Sequence, residues 1–304
     1  MGRPLRCSSP WQPTEITART IHGRYLLRPS KKVNELILGI IGRAQTMHDV
    51  ELYGVVVLSN HIHLVMSAKS SSEQSNFLRY VLGNIAREIG KLHSWRDKFW
   101  ARRHRAIPIL DDIALDERMR YLLGHSVKEG LVADPVQWPG VHSVAALCSG
   151  SDLFGIWYDR TAQYQAKKSG TATREKDFGT RYDVVLSPIP KLRAESTCKI
   201  QRYYRQLTES AKEEAVLNLS GQRRQFVGRR QVLRHHPHDL PKNVVLTPAP
   251  ICHSSSPELV CQFREAYAGF VAAYRDAMKR LMGQLPNANF PNQALLPGAI
   301  PITG

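Results

Sequence analysis

The stretch that decides the fold runs Val55-Val-Val-Leu-Ser-Asn-His-Ile-His-Leu-Val-Met66. Its β-branched and aliphatic residues, interrupted by a Ser-Asn pair suited to a tight turn, predict two adjacent strands over residues 50–60 and 61–68. Successive side chains of a strand point to opposite faces, so His61 and His63 project together and the residue between them points the other way. Two imidazoles on one face can occupy adjacent coordination positions of a divalent cation.

The patterns on either side of these strands complete a β-α-β-β-α-β order. Residues 16–28 predict a strand, residues 33–47 predict a helix, and a capping box at Ser71 predicts the start of a second helix. A last strand is expected at residues 103–110, where Pro108 favours a sheet edge. This order is that of a ferredoxin-like (RRM-like) α+β domain.

A helix predicted over residues 112–128 carries two further chemical side chains. Tyr121 and His125 are four residues apart, so they are neighbours on one helical face. Each spacing alone is common by chance in a chain with 12 His. Half-exposed strand histidines and a tyrosine at the edge of a core would give the same pattern, so the order of the motifs must carry the interpretation.

Composition limits the class of protein. The chain has 304 residues, 42 Lys and Arg against 26 Asp and Glu, and a pI near 9.9. This excess of positive charge favours an anionic partner, most simply nucleic acid. Five cysteines without a Cys-x-x-Cys pair favour the reduced cytosol, and neither a signal peptide, a membrane span nor a P-loop is expected.

The length allows a second domain. Helices are expected over residues 195–217 and 257–282, the latter with Ser256 as its N-cap. We predict a catalytic domain, a connecting segment and a basic, largely helical C-terminal domain at residues 1–150, 151–180 and 181–304.

Several linked motifs resemble the single-tyrosine HUH transposases, particularly the REP-associated tyrosine transposases and their transposase-like relatives. The resemblance covers roughly residues 15–145. It rests on Thr20-Ile-His-Gly-Arg-Tyr-Leu-Leu-Arg28, Asn60-His-Ile-His-Leu-Val65, Phe99-Trp-Ala-Arg-Arg-His104, Tyr121-Leu-Leu-Gly-His-Ser-Val-Lys-Glu-Gly-Leu-Val132 and Trp138-Pro-Gly140. In this family the third metal ligand is usually Asn or Gln, and here His125 stands at that place.

The resemblance implies DNA transposition and recombination through single-strand endonuclease and strand-transfer steps. Tyr121 would be the catalytic nucleophile and would form a 5′-phosphotyrosine, while His61, His63 and His125 would hold Mg²⁺ or Mn²⁺. Imidazole ligands suit softer ions than oxygen ligands do, so Mn²⁺ would be accepted more readily.

The implied substrate is single-stranded or hairpin DNA from repeat or element-end palindromes. A homodimer is also implied as an option, because some relatives exchange the tyrosine helix between protomers. The expected location is the prokaryotic cytoplasm, in association with the nucleoid. The residues predicted to contact DNA are Arg24, Arg102, Arg103, Arg105, Arg223, Arg224, Arg229 and Arg230, with Tyr25, Phe99, Trp100 and Trp138 as candidates for base stacking.

Two alternatives stay open at this point. In one, the chain is a catalytically silent, domesticated binder of structured single-stranded DNA or RNA, because His125 spoils the metal site. In the other, it is a metal-dependent nuclease that uses water, and Tyr121 is structural.

Overall fold

A four-stranded antiparallel sheet forms the centre of this computed structural model. The strands are β1 Thr14–Arg19, β2 Val50–Leu58, β3 His61–Ala68 and β4 Arg105–Pro108, in the order β2-β3-β1-β4. The helices are α1 Lys31–Gln45, α2 Ser71–Leu92 and α3 Asp112–Lys128. The order of elements and strands confirms the predicted ferredoxin-like α+β fold. The described residues are Leu5, 9–170, 174–221, 225–241, 249–283 and Phe290.

The sheet is covered on both faces, because alternate residues of β3 belong to two different cores. The even-numbered residues from Ile62 to Met66 pack with α1 and α2. Val65 packs instead with the apolar side of α3. His61 and His63 share the face of Val65, so strand geometry directs both imidazoles toward α3.

The first strand differs from the predicted span of residues 16–28. β1 ends at Arg19, and the chain then makes a short 3-10 turn over Ile21–Gly23. His22 and Gly23 have φ angles of 52° and 72°, in the left-handed region. A strand cannot continue through such a conformation, so the chain leaves the sheet there.

Other sequence expectations agree closely with the structure. α3 begins and ends at the residues predicted, 112 and 128. Pro108 lies on the edge strand β4, where its missing N–H costs little. The cap of α2 is one residue earlier than expected, since the hydroxyl of Ser70, not Ser71, accepts the backbone N–H of Glu73.

Further elements follow α3. They are α4 Val144–Ser149, β5 Phe154–Tyr158, α5 Arg160–Lys168, β6 Gly179–Asp183, α6 Thr197–Gly221, α7 Arg229–Arg234 and α8 Pro257–Met282. α6 and α8 correspond to the two predicted C-terminal helices, and the span 151–180 holds β5 and α5. Within the described part of the chain, no helix combines the length and apolarity needed to cross a bilayer.

The pairing of β5 with β6 produces a small antiparallel sheet that packs on α1, and glycines allow the contact. A Cβ at Gly155 would lie 2.1 Å from the backbone nitrogen of Gly39 and 2.2 Å from the carbonyl oxygen of Glu35. Neither backbone atom can move aside without displacing the helix.

We expect Gly155→Ala to lower the free energy of unfolding by roughly 3 kcal/mol, because the added methyl group overpacks this contact. Urea denaturation would measure the change. The matched control is Gly83→Ala on the exposed face of α2, where an added Cβ meets nothing within 4 Å. The control should gain about 0.5–1 kcal/mol, so two variants of equal stability would contradict the prediction.

Candidate active site

Three imidazoles meet in the space between β3 and α3. Nε2 of His61 lies 2.7 Å from Nε2 of His125, and the ring centres of His63 and His125 are 4.6 Å apart. All three residues are buried, and each offers one ligand atom within 4.8 Å of the others. These three residues are called the histidine cluster below.

In two of these imidazoles, the Nδ1 atom lies within hydrogen-bond distance of a neighbouring side-chain oxygen. Nδ1 of His61 lies 2.6 Å from Oδ1 of Asn60, and Nδ1 of His63 lies 3.1 Å from Oε1 of Glu15. Oγ1 of Thr17 is a second neighbour of the His63 nitrogen, at 3.2 Å. Because the Asn60 and Glu15 oxygens accept hydrogen bonds, each Nδ1 carries the proton and each Nε2 presents its lone pair to the cluster.

The histidine cluster fits a divalent cation. Burial lowers the pKa of His61 and of His125 well below 6.5, and the charge of His63 lowers both further. Neutral imidazole is the form that binds metal. Two nitrogens on one cation at about 2.1 Å would be about 3 Å apart, close to the His61–His125 separation. Nδ1 of His125 is buried without a hydrogen-bond partner among the described residues. No hydrogen bond from Nδ1 to a described protein oxygen therefore competes with a cation for the orientation of this imidazole.

Tyr121 lies beside the cluster on the same helix as its third member. Its ring centre is 4.8 Å from that of His125 and 5.7 Å from that of His63. Burial raises the pKa of Tyr121 to about 12, and the charge of Glu15 adds to this, whereas the charge of Arg118 lowers it. At neutral pH the phenol is therefore protonated, and a reaction at its oxygen must first remove that proton.

Glu15 on β1 connects the cluster to a distant part of the chain. Its second oxygen, Oε2, lies 2.7 Å from Nε2 of His253 and 3.8 Å from Nη1 of Arg118. Burial raises the pKa of Glu15, but hydrogen bonds from His253 and His63 outweigh burial and hold the pKa far below its ordinary range. The ionised carboxylate can thus orient the imidazole of His63, as outer carboxylates do in metal sites.

Comparison with known families identifies the domain that carries this arrangement. Residues 23–123 match the family model described as Transposase IS200 like. Residues 23–123, about a third of the chain, form a domain similar to the IS200-like transposases. The matched span includes His61, His63 and Tyr121 and ends two residues before His125.

Two solved structures are similar to parts of this chain. One is a REP-associated tyrosine transposase bound to a REP hairpin, with 17% identity over 47% of this chain and 82% of that chain, at a TM-score of 0.41. The other is a protein from Deinococcus radiodurans R1 described as a transposase, with 16% identity over 40% of this chain and 95% of that chain, at a TM-score of 0.29. None of the curated proteins matches this chain.

Three of the arginines predicted to contact DNA lie at the start of β4 or just before it. Arg105 opens β4 and is paired with Thr17 on β1, which is paired in turn with His63 on β3. Arg102 and Arg103 precede Arg105 in the loop that leads into the strand. Cross-strand partners point to the same face, so Arg105 belongs to the face of the histidine cluster.

Arg19 is a basic neighbour that the sequence did not single out. It ends β1 opposite His61. Burial lowers the pKa of Arg105, and the charges of Arg102 and Arg19 lower it further. Three guanidinium groups that repel one another favour an anion bound among them.

The other predicted arginines lie elsewhere. Arg24 donates a hydrogen bond from Nη1 to the backbone oxygen of His238, so it is used at least in part to hold the segment after α7. Arg229 and Arg230 form the start of α7. Two predicted arginines fall outside the described residues, Arg223 and Arg224.

The candidate stacking residues contribute largely to packing within the chain. Phe99 and Trp138 are only 6% and 5% exposed. Nε1 of Trp100 donates to the backbone oxygen of Leu82. The ring of Tyr25 is stacked on His235, with centres 4.7 Å apart.

Glu15→Gln should weaken Mn²⁺ binding by about 10–100-fold, which is the usual effect of removing an outer carboxylate from a metal-ligating histidine. The neutral amide would hold the His63 imidazole less firmly. Calorimetric titration with Mn²⁺ would measure the change. Glu73→Gln is the matched control, because it removes a similar carboxylate–imidazole contact to His48, at 3.1 Å, outside the cluster. Equal losses in both variants would rule out a special role for Glu15.

Proposed function

We propose that this chain is a DNA transposase that nicks and rejoins a single strand, with Tyr121 as the nucleophile and a divalent cation in the histidine cluster. The match of residues 23–123 to the IS200-like transposases supports the transposase role. The observation that carries the chemistry is the position of Tyr121, whose ring centre lies 4.8 Å from His125 and 5.7 Å from His63 of the same chain.

In this mechanism the phenolic oxygen of Tyr121 attacks the phosphorus of one phosphodiester. The new oxygen–phosphorus bond forms while the bond to the 3′ oxygen breaks, and the phenol loses its proton while the 3′ oxygen leaves as a hydroxyl group. The 5′-phosphotyrosine that results conserves the energy of the broken phosphodiester. A second 3′-OH can therefore reverse the reaction and join strands, and no nucleotide triphosphate is required.

Each protein group has a defined task in this reaction. His61, His63 and His125 would hold the cation, and the charge of Arg118, which lowers the pKa of Tyr121, favours loss of the phenolic proton. When bound, the cation would polarise a non-bridging oxygen of the phosphate and offset the negative charge that builds up there. Mg²⁺ and Mn²⁺ are the proposed ions, and an all-imidazole ligand set favours Mn²⁺ of the two.

We propose single-stranded or hairpin DNA as the substrate, including repeat or element-end palindromes. The support is Arg19 and Arg105 on the sheet face with Arg102 in the adjoining loop, together with a formal net charge of +16. A strand with splayed bases can reach an active site on a sheet face, whereas a closed duplex presents only its grooves. Affinity for DNA should fall steeply as salt rises.

The experiment that tests the proposal incubates the full chain with end-labelled hairpin DNA and Mn²⁺ or Mg²⁺, followed by a denaturing gel. A protein–DNA adduct that requires the metal would support tyrosine chemistry. Binding without cleavage over a broad panel of hairpins would overturn it in favour of a silent binder of structured DNA or RNA. Metal-dependent cleavage without any adduct would favour a nuclease that uses water.

We also propose a cellular location and an oligomeric state for this protein. We expect it in the prokaryotic cytoplasm, in association with the nucleoid. A homodimer remains part of the proposal for DNA handling, but Tyr121 and the histidine cluster come from one chain, so a second copy is not required to complete this site.

A further inference from the structure

A cavity lies beside the outer edge of β4, where the C-terminal part of the chain returns to the sheet. Its volume is about 580 Å³, within the usual range for sites that bind small molecules. One part of its lining, called the basic wall, is rich in arginine, and another part, called the aromatic wall, is apolar and aromatic. The lining residues that matter here are Arg102, Arg103, Arg105, Pro250, Phe263 and Tyr267.

The aromatic wall belongs to α8, outside the residues that match the transposase family. Phe263 and Tyr267 are one turn apart, and their rings are nearly parallel, with centres 6.2 Å apart and an interplanar angle of 16°. Both are half-buried. Aromatic faces of this kind bind any nucleobase by stacking, without a strong preference for sequence.

The start of α8 is fixed in place by the N-cap of α3. Both oxygens of Asp111 accept hydrogen bonds from the segment before α8, from the Ser254 hydroxyl at 2.6 Å, the Ser255 backbone N–H at 2.8 Å and the Ser255 hydroxyl at 2.9 Å. Burial raises the pKa of Asp111, but these bonds outweigh it and lower the pKa to about 2. The aromatic wall is therefore anchored to the helix that carries Tyr121.

The basic wall points to the identity of the occupant. Arg105 belongs to the same cross-strand row as His63, two strands away, which corresponds to about 10 Å. Its neighbours Arg102 and Arg19 add positive charge on the same side. A ligand with a flat apolar ring and an attached anion matches both walls, and a DNA strand whose phosphate lies at the histidine cluster passes within reach.

We propose that this cavity binds an unpaired base of the DNA strand within a few nucleotides of the scissile phosphate. The base stacks on Phe263 and Tyr267, and the adjoining phosphate pairs with Arg102 and Arg105. This inference rests on the proposed function for its choice of substrate. It adds a base-binding site in which α8 of the C-terminal extension supplies the rings and the family domain supplies the arginines.

The test uses the full chain carrying Tyr121→Phe, so that binding is measured without cleavage. The probe is a labelled hairpin with a single-stranded flank, and a series in which one flank base at a time is replaced by an abasic site. We expect one or two abasic positions to weaken binding by about 10-fold. Adding Phe263→Leu, which keeps apolar volume but removes the ring, should weaken binding to intact DNA by the same factor and abolish the sensitivity to those positions.

Two comparisons make the result specific. Tyr164→Leu removes an exposed ring on α5, 65% exposed, and should leave the abasic profile unchanged. Arg102→Gln should weaken the binding of every probe by nearly the same factor. The dependence of DNA affinity on salt concentration should then correspond to about one phosphate contact fewer. If the loss of affinity at each abasic position were the same with and without Phe263→Leu, the proposal would be overturned. A change in oligomeric state with unaltered DNA binding would overturn it too, since that would make the cavity a protein interface.

The adduct assay separates this proposal from the one on which it rests. An adduct formed by the otherwise unsubstituted chain, with no base position that depends on Phe263, would overturn the cavity proposal alone. A base position that depends on Phe263, without any adduct, would overturn the tyrosine chemistry and leave the cavity as a DNA-binding site.

Discussion

Tyr121→Phe should abolish the covalent protein–DNA adduct, with a loss of at least about 10³-fold in the rate of strand cleavage. The substitution removes only the phenolic oxygen, and the ring keeps its place 4.8 Å from the ring of His125. Affinity for Mn²⁺ and for hairpin DNA should stay close to that of the unsubstituted chain. A denaturing gel with end-labelled hairpin DNA measures the adduct, and mass spectrometry of the digested adduct assigns the modified residue.

Tyr164→Phe is the matched control, because this tyrosine is largely exposed on α5. Its adduct yield should equal that of the unsubstituted chain. Metal-dependent cleavage that persists in Tyr121→Phe would show that water is the nucleophile and that the tyrosine has a structural role. An adduct that persists would mean that another side chain attacks.

Replacing His61 and His63 together by Ala should weaken Mn²⁺ binding by at least about 100-fold and abolish the adduct. Two of the three imidazoles would be lost, and His125 alone offers one ligand. The Nε2 atoms of His61 and His125 lie 2.7 Å apart, close to the separation expected for two nitrogens on one cation. Calorimetry measures the metal affinity, and the gel assay measures the adduct.

His48→Ala is the control for the loss of a partly buried histidine, since His48 contacts Glu73 outside the cluster. It should bind Mn²⁺ normally and form the adduct. The double variant should keep its affinity for hairpin DNA in the absence of metal, because the arginines on the sheet face are intact. Full adduct formation by the double variant would overturn the metal assignment.

The sequence was most informative where a short pattern encodes geometry directly. The spacing of His61 and His63 places both on one face of a strand, and four residues from Tyr121 to His125 make one helical turn. The observed elements β3 and α3 have the expected bounds. Contact between the two elements could be inferred only from the family resemblance, because no local pattern states which helix covers which sheet face.

The supporting residues were missed for two different reasons. Glu15, Thr17 and Arg19 alternate on β1. The strand was predicted to start at residue 16, which left Glu15 outside it, and no local pattern marked Thr17 or Arg19 as neighbours of the histidines. His253 gave no local signal at all. It reaches Glu15 because the chain forms a parallel bridge with Ile109 at the sheet edge, a long-range contact set by tertiary packing.

The C-terminal helix illustrates the same limit. Its bounds were predicted correctly from the Ser256 cap and the apolar stripe, because capping and periodicity are local properties. The stripe suggested only a packing face. That Phe263 and Tyr267 line one cavity together with Arg102, Arg103 and Arg105 depends on where the helix docks, which the segment anchored at Asp111 determines.

The contact between Glu15 and His253 also bears on how the protein is made. A chain emerging from the ribosome presents Tyr121 and the histidine cluster well before residue 253 is synthesised, so the proposed nucleophile is made before the support of the proposed metal site is complete. Translation order would thereby keep an unfinished chain from cutting nearby DNA at its full rate. The Mn²⁺ affinity of a chain that ends just before His253 would give the size of this delay.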